Sequence, residues 1–256
     1  MSSRIILLLS VLLLLAKPSV QADDSGTAYN SLVLEAIRSM PSGGGYSAGS
    51  FATHALENAV SIQNGALQIQ ANQAMPSYCS GATYLVFLKV IAHLQTTQPG
   101  FLNPEVINAL RPSGQPDGVG IWGRWNANGP GTARLFYELE LGSNFTDPSL
   151  AQPGDFLKIF WNDGIGATEH GHSVIYLGME SREGVPYLRF WSSNLHMGYG
   201  EKSVPVSRIH RMLFSRLNHP ENLIRFDTLP HSDPYLSSLQ RRSSSAEEMD
   251  SLCGVR

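Results

Sequence analysis

Only two cysteines, Cys79 and Cys253, occur in the 256 residues. Secretory frameworks with several disulfides are therefore excluded, and a single bridge is the most the chain can form. Charge is scarce too, at 15% of residues with a net of −3 and no basic stripe. That balance gives no electrostatic footprint for nucleic acid or anionic lipid, so no polyanionic partner is expected. Beyond the first residues no apolar run is long enough to span a bilayer, and no internal repeat marks a solenoid. What the chain has is apolar material, 42% of its residues. A chain of this length and composition fits one elaborated domain or two small ones around a sizeable core.

The first segment, MSSRIILLLSVLLLLAKPSVQADD, places Arg4 before an apolar block from Ile5 to Ala16 and then the small-residue pattern Val20-Gln21-Ala22. This is the layout of a secretory signal, so residues 1–22 are expected to be removed by cleavage after Ala22. An uncleaved anchor is the alternative. No cysteine follows the site, which argues against a lipoprotein, and the protein is expected in a periplasm or outside the cell. Export permits a Cys79–Cys253 disulfide. Against it, Cys253 follows QRRSSSAEEMDS, a stretch so poor in apolar residues that 229–256 is expected to be a flexible tail.

Residues 23–74 read as a helical extension: YNSLVLEAIRSM and FATHALENAVSI are helical, and GALQIQANQA fits either a short strand or a turn of helix. SGGGYSAGS between them is a glycine-rich loop. From Ala82 to Leu94 the chain is apolar on nearly every side, apart from Lys89 and His93, which predicts a helix covered all round. GVGIWGRWNANGPGTARLFYELELG reads as a tryptophan-bearing loop before a short helix. PGDFLKIFW, GHSVIYLGM and PYLRFWSSN then read as consecutive antiparallel strands, and PVSRIHRMLF as a further edge strand or helix. A helix on such a meander is an α+β arrangement over 75–228.

In this frame Cys79 stands out. Ser77 is a candidate N-cap that puts Cys79 in the first helical turn, where free N–H groups stabilise a thiolate, the form that attacks carbonyls. A lone cysteine is more often a small buried hydrophobe, so the reading needs a base. His172 opens the strand HSVIYLG, 93 positions on. On the next strand Ser192 and Asn194 share a face by period-two alternation, and either could accept from the imidazole. His170 competes with His172 but falls in the turn. His170, His172 and Glu169 together also suggest a zinc cluster that lacks a further ligand. Trp122, Arg124 and Trp125 suit either a substrate-stacking rim or buried packing. Asp155 is read as capping the turn before its strand, and the aromatic residues of the strands as core.

Cys79-Ser80-Gly81 opening an apolar helix, Pro153-Gly154-Asp155 leading a strand, and His172 four residues before Tyr176 occur in this order. Together they resemble the NlpC family of bacterial cell-wall cysteine peptidases and the related CHAP amidases, over about residues 76–195. The resemblance implies a papain-like core in which a central helix carrying Cys79 packs on an antiparallel sheet. It also implies Cys79 as nucleophile, His172 as base, a polar third residue placed at Asn194, no cofactor, and peptide or peptidoglycan as substrate. Ser192, Tyr78 and Ser80 are supporting candidates. Two positions depart from the family: Tyr78 stands where an acidic residue usually precedes the nucleophile, and Glu169 replaces a common serine. A rival from another class is a silent exported binding domain that presents the Trp122 loop to glycan or a partner.

Overall fold

The computed structural model describes residues 25–256, with side chains from residue 29 onward; the expected signal segment lies outside the described residues. The fold is mixed α/β around a large antiparallel sheet. Helix α1 (Ser25–Arg38) is followed by a two-residue strand β1 (Gly43–Gly44), helix α2 (Ser50–Asn58) and a hairpin of β2 (Val60–Gln63) and β3 (Ala66–Ile69). Residues 23–74 are thus not helical throughout. The second helix stops at Asn58 and Val60-Ser61-Ile62 turns to strand, because the β-branched pair finds a partner across the turn at Asn64-Gly65, both with positive φ.

Helix α3 (Cys79–Thr97) is buried along almost its whole length, and its side chains reach solvent chiefly at His93 and beyond Leu94. Short helices α4 (Pro104–Ala109), α5 (Gly120–Asn126) and α6 (Gly131–Glu138) follow, then strands β4 (Gly142–Phe145), β5 (Phe156–Phe160), β6 (Gly171–Arg182), β7 (Val185–Asn194), β8 (Gly198–Pro205) and β9 (Arg211–Leu217). Sheet order is β1-β8-β7-β6-β5-β9-β4. The segment expected at the edge, β9, therefore lies inside the sheet, paired on both sides by β5 and β4. Leu213, Phe214 and Leu217 are buried there and suit an interior position.

Alternation along the strands divides the core in two. Phe156, Ile175, Trp191 and Tyr199 join the residues of α1, α3 and α5 on one face. Leu157, Val174, Tyr176, Leu188, Phe190 and Phe214 form a second cluster on the other. Asp155, just before β5, is fully buried and does more than cap its turn. It accepts from the Gln152 N–H at 2.7 Å, from Asn30 on α1 at 2.9 Å, and from Arg216 through both guanidinium arms at 2.8 and 2.7 Å. Gly154 takes φ +100°, and a Cβ there would come within 2.6 Å of the Asn30 carbonyl oxygen. The Pro-Gly-Asp run thereby anchors α1 to the sheet.

The C-terminal segment is folded, contrary to its polar composition. Helices α7 (Pro234–Ser238) and α8 (Ala246–Leu252) carry side-chain N-caps, Asp233 and Ser245. Leu236, Leu239, Met249 and Cys253 are completely buried. The few apolar residues suffice because buried polar groups hold the segment. Asp233 bonds Arg134 at 2.8 Å, Arg134 donates to the Leu252 carbonyl, and Asn144 donates to the Cys253 carbonyl at 2.7 Å. Both cysteines are free, so the disulfide alternative is not realised.

Candidate functional site

Helix α3 begins at Cys79, and its N-cap is Tyr78, not Ser77. Ser77 turns its hydroxyl to the Tyr78 carbonyl at 3.4 Å, and Tyr78 makes no capping bond. The first N–H groups of a 19-residue helix, which opens on Cys79, are therefore left without a side-chain cap.

His172 is the second residue of β6. β6 and β7 pair with Ile175 opposite Trp191, and continuing that register three residues puts His172 opposite Asn194. The His172 Nε2 to Asn194 Oδ1 distance is 3.2 Å. Asn194 is itself fixed: its amide nitrogen donates to the carbonyls of Ser192 at 3.1 Å and Gly200 at 2.9 Å. With that amide orientation set, Oδ1 accepts from Nε2–H, and Nδ1 is left for the sulfur. Ser192 takes no part, since its hydroxyl donates across the strands to the Ser173 carbonyl at 2.7 Å. The alternative between Ser192 and Asn194 is thus resolved by where each side chain finds its partner. The imidazole ring stacks on Trp161 at 6.4 Å between centroids and meets the edge of Phe190 at 5.6 Å. Two aromatic walls, an amide and a strand restrict its orientation.

Cys79 is half-buried, and the His172 imidazole stands beside its sulfur. Burial alone would push its thiol up. That effect is outweighed by the hydrogen bond and charge of His172, by the Ser173 N–H, and by the charge of Lys158, which together bring it down to about 6. Cys253 shows the contrast: burial among apolar residues pushes it up to about 12.

Three features of the site lay outside the reading of the sequence. The glycine loop delivers Tyr46, whose phenol stands beside the Cys79 sulfur in the cleft; burial, then the nearby thiolate, push the Tyr46 hydroxyl well above its usual range, so it stays a donor. The loop is placed by pairing with Ser77, through Ser47 N–H to the Ser77 carbonyl at 3.0 Å and Ser77 N–H to Gly45 at 3.3 Å. Ser193 pins Ser77 to the sheet at 2.9 Å. Tyr46 is the one large residue in SGGGYSAGS, which is the signal that could have found it. The second feature is the Lys158–Glu169 pair at 2.7 Å, nearly buried beside the cleft. Glu169 also accepts from the N–H groups of Gly129 and Gly166, so it serves this junction. The third is Asn126, which accepts from Ser80 at 2.6 Å and ties the first turn of α3 to α5.

A cleft of about 360 Å³ on the Cys79 side is lined by Tyr46, Cys79, Asp117, Asn126, Lys158 and Glu169 among others. Tyr78 and Trp122 contribute its wall. Trp122, Arg124 and Trp125 do not form a mobile rim. They lie on α5 at 2%, 0% and 1% exposure, because Arg124 is held by Glu138 at 2.8 Å and by the carbonyls of Gly120 and Pro230. Trp125 stacks on Phe87 and donates to Thr83. His170 is exposed, with its backbone N–H on Asn162. Glu169 is occupied as described, and no group of three His, Cys, Asp or Glu converges as metal ligands among the described residues. No helix among those residues is long and apolar enough to cross a membrane. Compared with known proteins, the chain matches no family model and gives no significant match to a curated protein or a solved structure.

Proposed function

We propose that the protein is an exported thiol hydrolase that cleaves amide bonds, with bacterial wall peptides as its substrate class and a papain-like arrangement of helix and sheet as its core. The observation that carries this reading is the sulfur at an uncapped helix N-terminus, beside an imidazole whose tautomer is set by Asn194. Cys79 thiolate attacks the carbonyl carbon. The oxyanion that forms is held by the N–H of Cys79, which has no carbonyl partner within the helix, and by the Tyr46 hydroxyl. His172 passes its proton to the departing nitrogen, the C–N bond breaks, and the amine leaves. Water, deprotonated by His172, then attacks the thioester and releases the acid and the free thiol. Each turnover consumes one water and returns one acid and one amine.

Alkylation by iodoacetamide across pH tests the ion pair directly. Native Cys79 is expected to react with a midpoint near 6, where His172, the Ser173 N–H and Lys158 outweigh burial, against about 8.5 for an ordinary thiol. Below the midpoint the thiol is protonated and labelling falls away. His172→Ala should move the midpoint up, since burial remains while the opposing contacts are lost. A midpoint at or above the ordinary value in the native protein would leave Cys79 as an inert core thiol and favour the silent binding domain. Purified sacculi digested with the protein, with products identified by mass, then give the bond cleaved. Tyr46→Phe is expected to lower kcat by about 100-fold, the typical cost of one oxyanion donor. Cys79 should still alkylate in that variant, and an unchanged kcat would remove Tyr46 from the chemistry.

A further inference from the structure

A second pocket of about 410 Å³ lies on the other side of the imidazole, bordered by His172 and Asn194 and, like the first, by Tyr46. The two pockets differ in charge. The Cys79 side holds Asp117 and the Lys158–Glu169 pair, whereas the His172 side has Lys202 and Arg208 and, among the described residues, no acidic residue in its wall. Lys202 sits on β8 directly opposite Phe190, so both side chains point to the face that carries His172. Arg208 follows in the turn after β8. Both are exposed, and neither has an ion pair, hydrogen bond or ring contact among the described residues. Between the cations and the imidazole the surface is apolar, made by Trp161, Phe190 and Val204 with Leu195 at the rim.

Resting on the hydrolase reading above, we infer that this pocket receives the amine half of the substrate and selects one that carries a carboxylate. The direction follows from the chemistry. The acyl half stays bonded to Cys79 on the first side, while the nitrogen protonated by His172 must depart on the imidazole's side. An amine with a short apolar stem and a carboxylate at its end lays the stem on Trp161 and Phe190 and reaches Lys202 and Arg208. The carboxylate can be an acidic side chain or a free α-carboxyl group.

Matched peptides that differ only in the amine-side residue separate these sources. One pair carries Glu or Gln there with an amidated C-terminus; the other carries Ala as a free acid or an amide. Wild type is expected to cleave the acid of at least one pair about tenfold faster by kcat/KM, the sum of two exposed charge pairs near the upper end of their usual range. In the Lys202→Gln/Arg208→Gln double variant the acid and amide peptides should be cleaved at the same rate. Its melting temperature and circular dichroism are measured alongside. The ratio of Cys79 alkylation by iodoacetate to that by iodoacetamide reads the same positive field without turnover, and should fall several-fold in the double variant. Equal cleavage of acid and amide by wild type, or a preference and an alkylation ratio that survive the double substitution, overturns this inference alone. A wild type that cleaves none of the peptides and whose Cys79 is slow to iodoacetamide instead sinks the hydrolase reading itself.

Discussion

Replacing Cys79 by Ala is expected to reduce amide hydrolysis by at least about 10⁴-fold, the scale of losing a nucleophile whose partners act as a unit. Folding should barely change. The side chain is half-buried at the cleft and its loss leaves no closed cavity, so the cost is within about 1 kcal/mol. The pairing of those two results is what makes the experiment decisive, because a drop in activity with a drop in melting temperature would say only that the helix start had been disturbed. His172→Ala should behave alike, and His170→Ala should be mild, since its ring stands in solvent. Asn194→Ala should be intermediate, about 10²-fold down, because the imidazole keeps its aromatic walls but loses the acceptor that fixes its tautomer. Hydrolysis that persists in Cys79→Ala at the wild-type rate would place the chemistry elsewhere.

The largest effect on stability is expected at Arg124→Ala. The guanidinium is wholly enclosed, and each of its arms is used: one on Glu138, one on the Gly120 carbonyl and one on the Pro230 carbonyl. Truncation strands Glu138 at 9% exposure with Arg134, 3.6 Å away, as its remaining counter-charge among the described residues. Breaking such a buried pair costs about 3–5 kcal/mol. For a chain of this size that lowers the melting temperature by on the order of 10 °C. Arg124→Lys should recover only part, since a single ammonium cannot reach three acceptors in the plane of a guanidinium. A variant that melts like wild type but loses substrate affinity would restore the view of this residue as a binding group.

These two residues also mark where the sequence was readable and where it was not. The strands and α3 declare themselves through alternation and an unbroken apolar run, which are properties of neighbouring residues. Cys79 and His172 were legible because each sits at the start of such an element, and starts are visible in sequence. Asn194 could not be separated from Ser192 by period alone; the deciding facts are hydrogen bonds to Gly200 and Ser173, which belong to other strands. Trp122, Arg124 and Trp125 looked like a loop because glycines surround them, yet Gly123 is where α5 passes within contact of the Pro116 carbonyl, a close approach that only the folded chain shows. The C-terminal segment misled by composition. Its stability comes from Arg134, Asn144 and Asp233, whose partners lie about 100 positions away.

The concealed thiol at Cys253 has a practical corollary. A folded molecule offers one sulfur to a reagent, whereas an unfolded one offers two, so titrated equivalents report the fraction of chains that have opened. Native protein therefore contains its own stoichiometric gauge of global unfolding, and a covalent tag applied under folding conditions lands on Cys79 without any engineering of the second site.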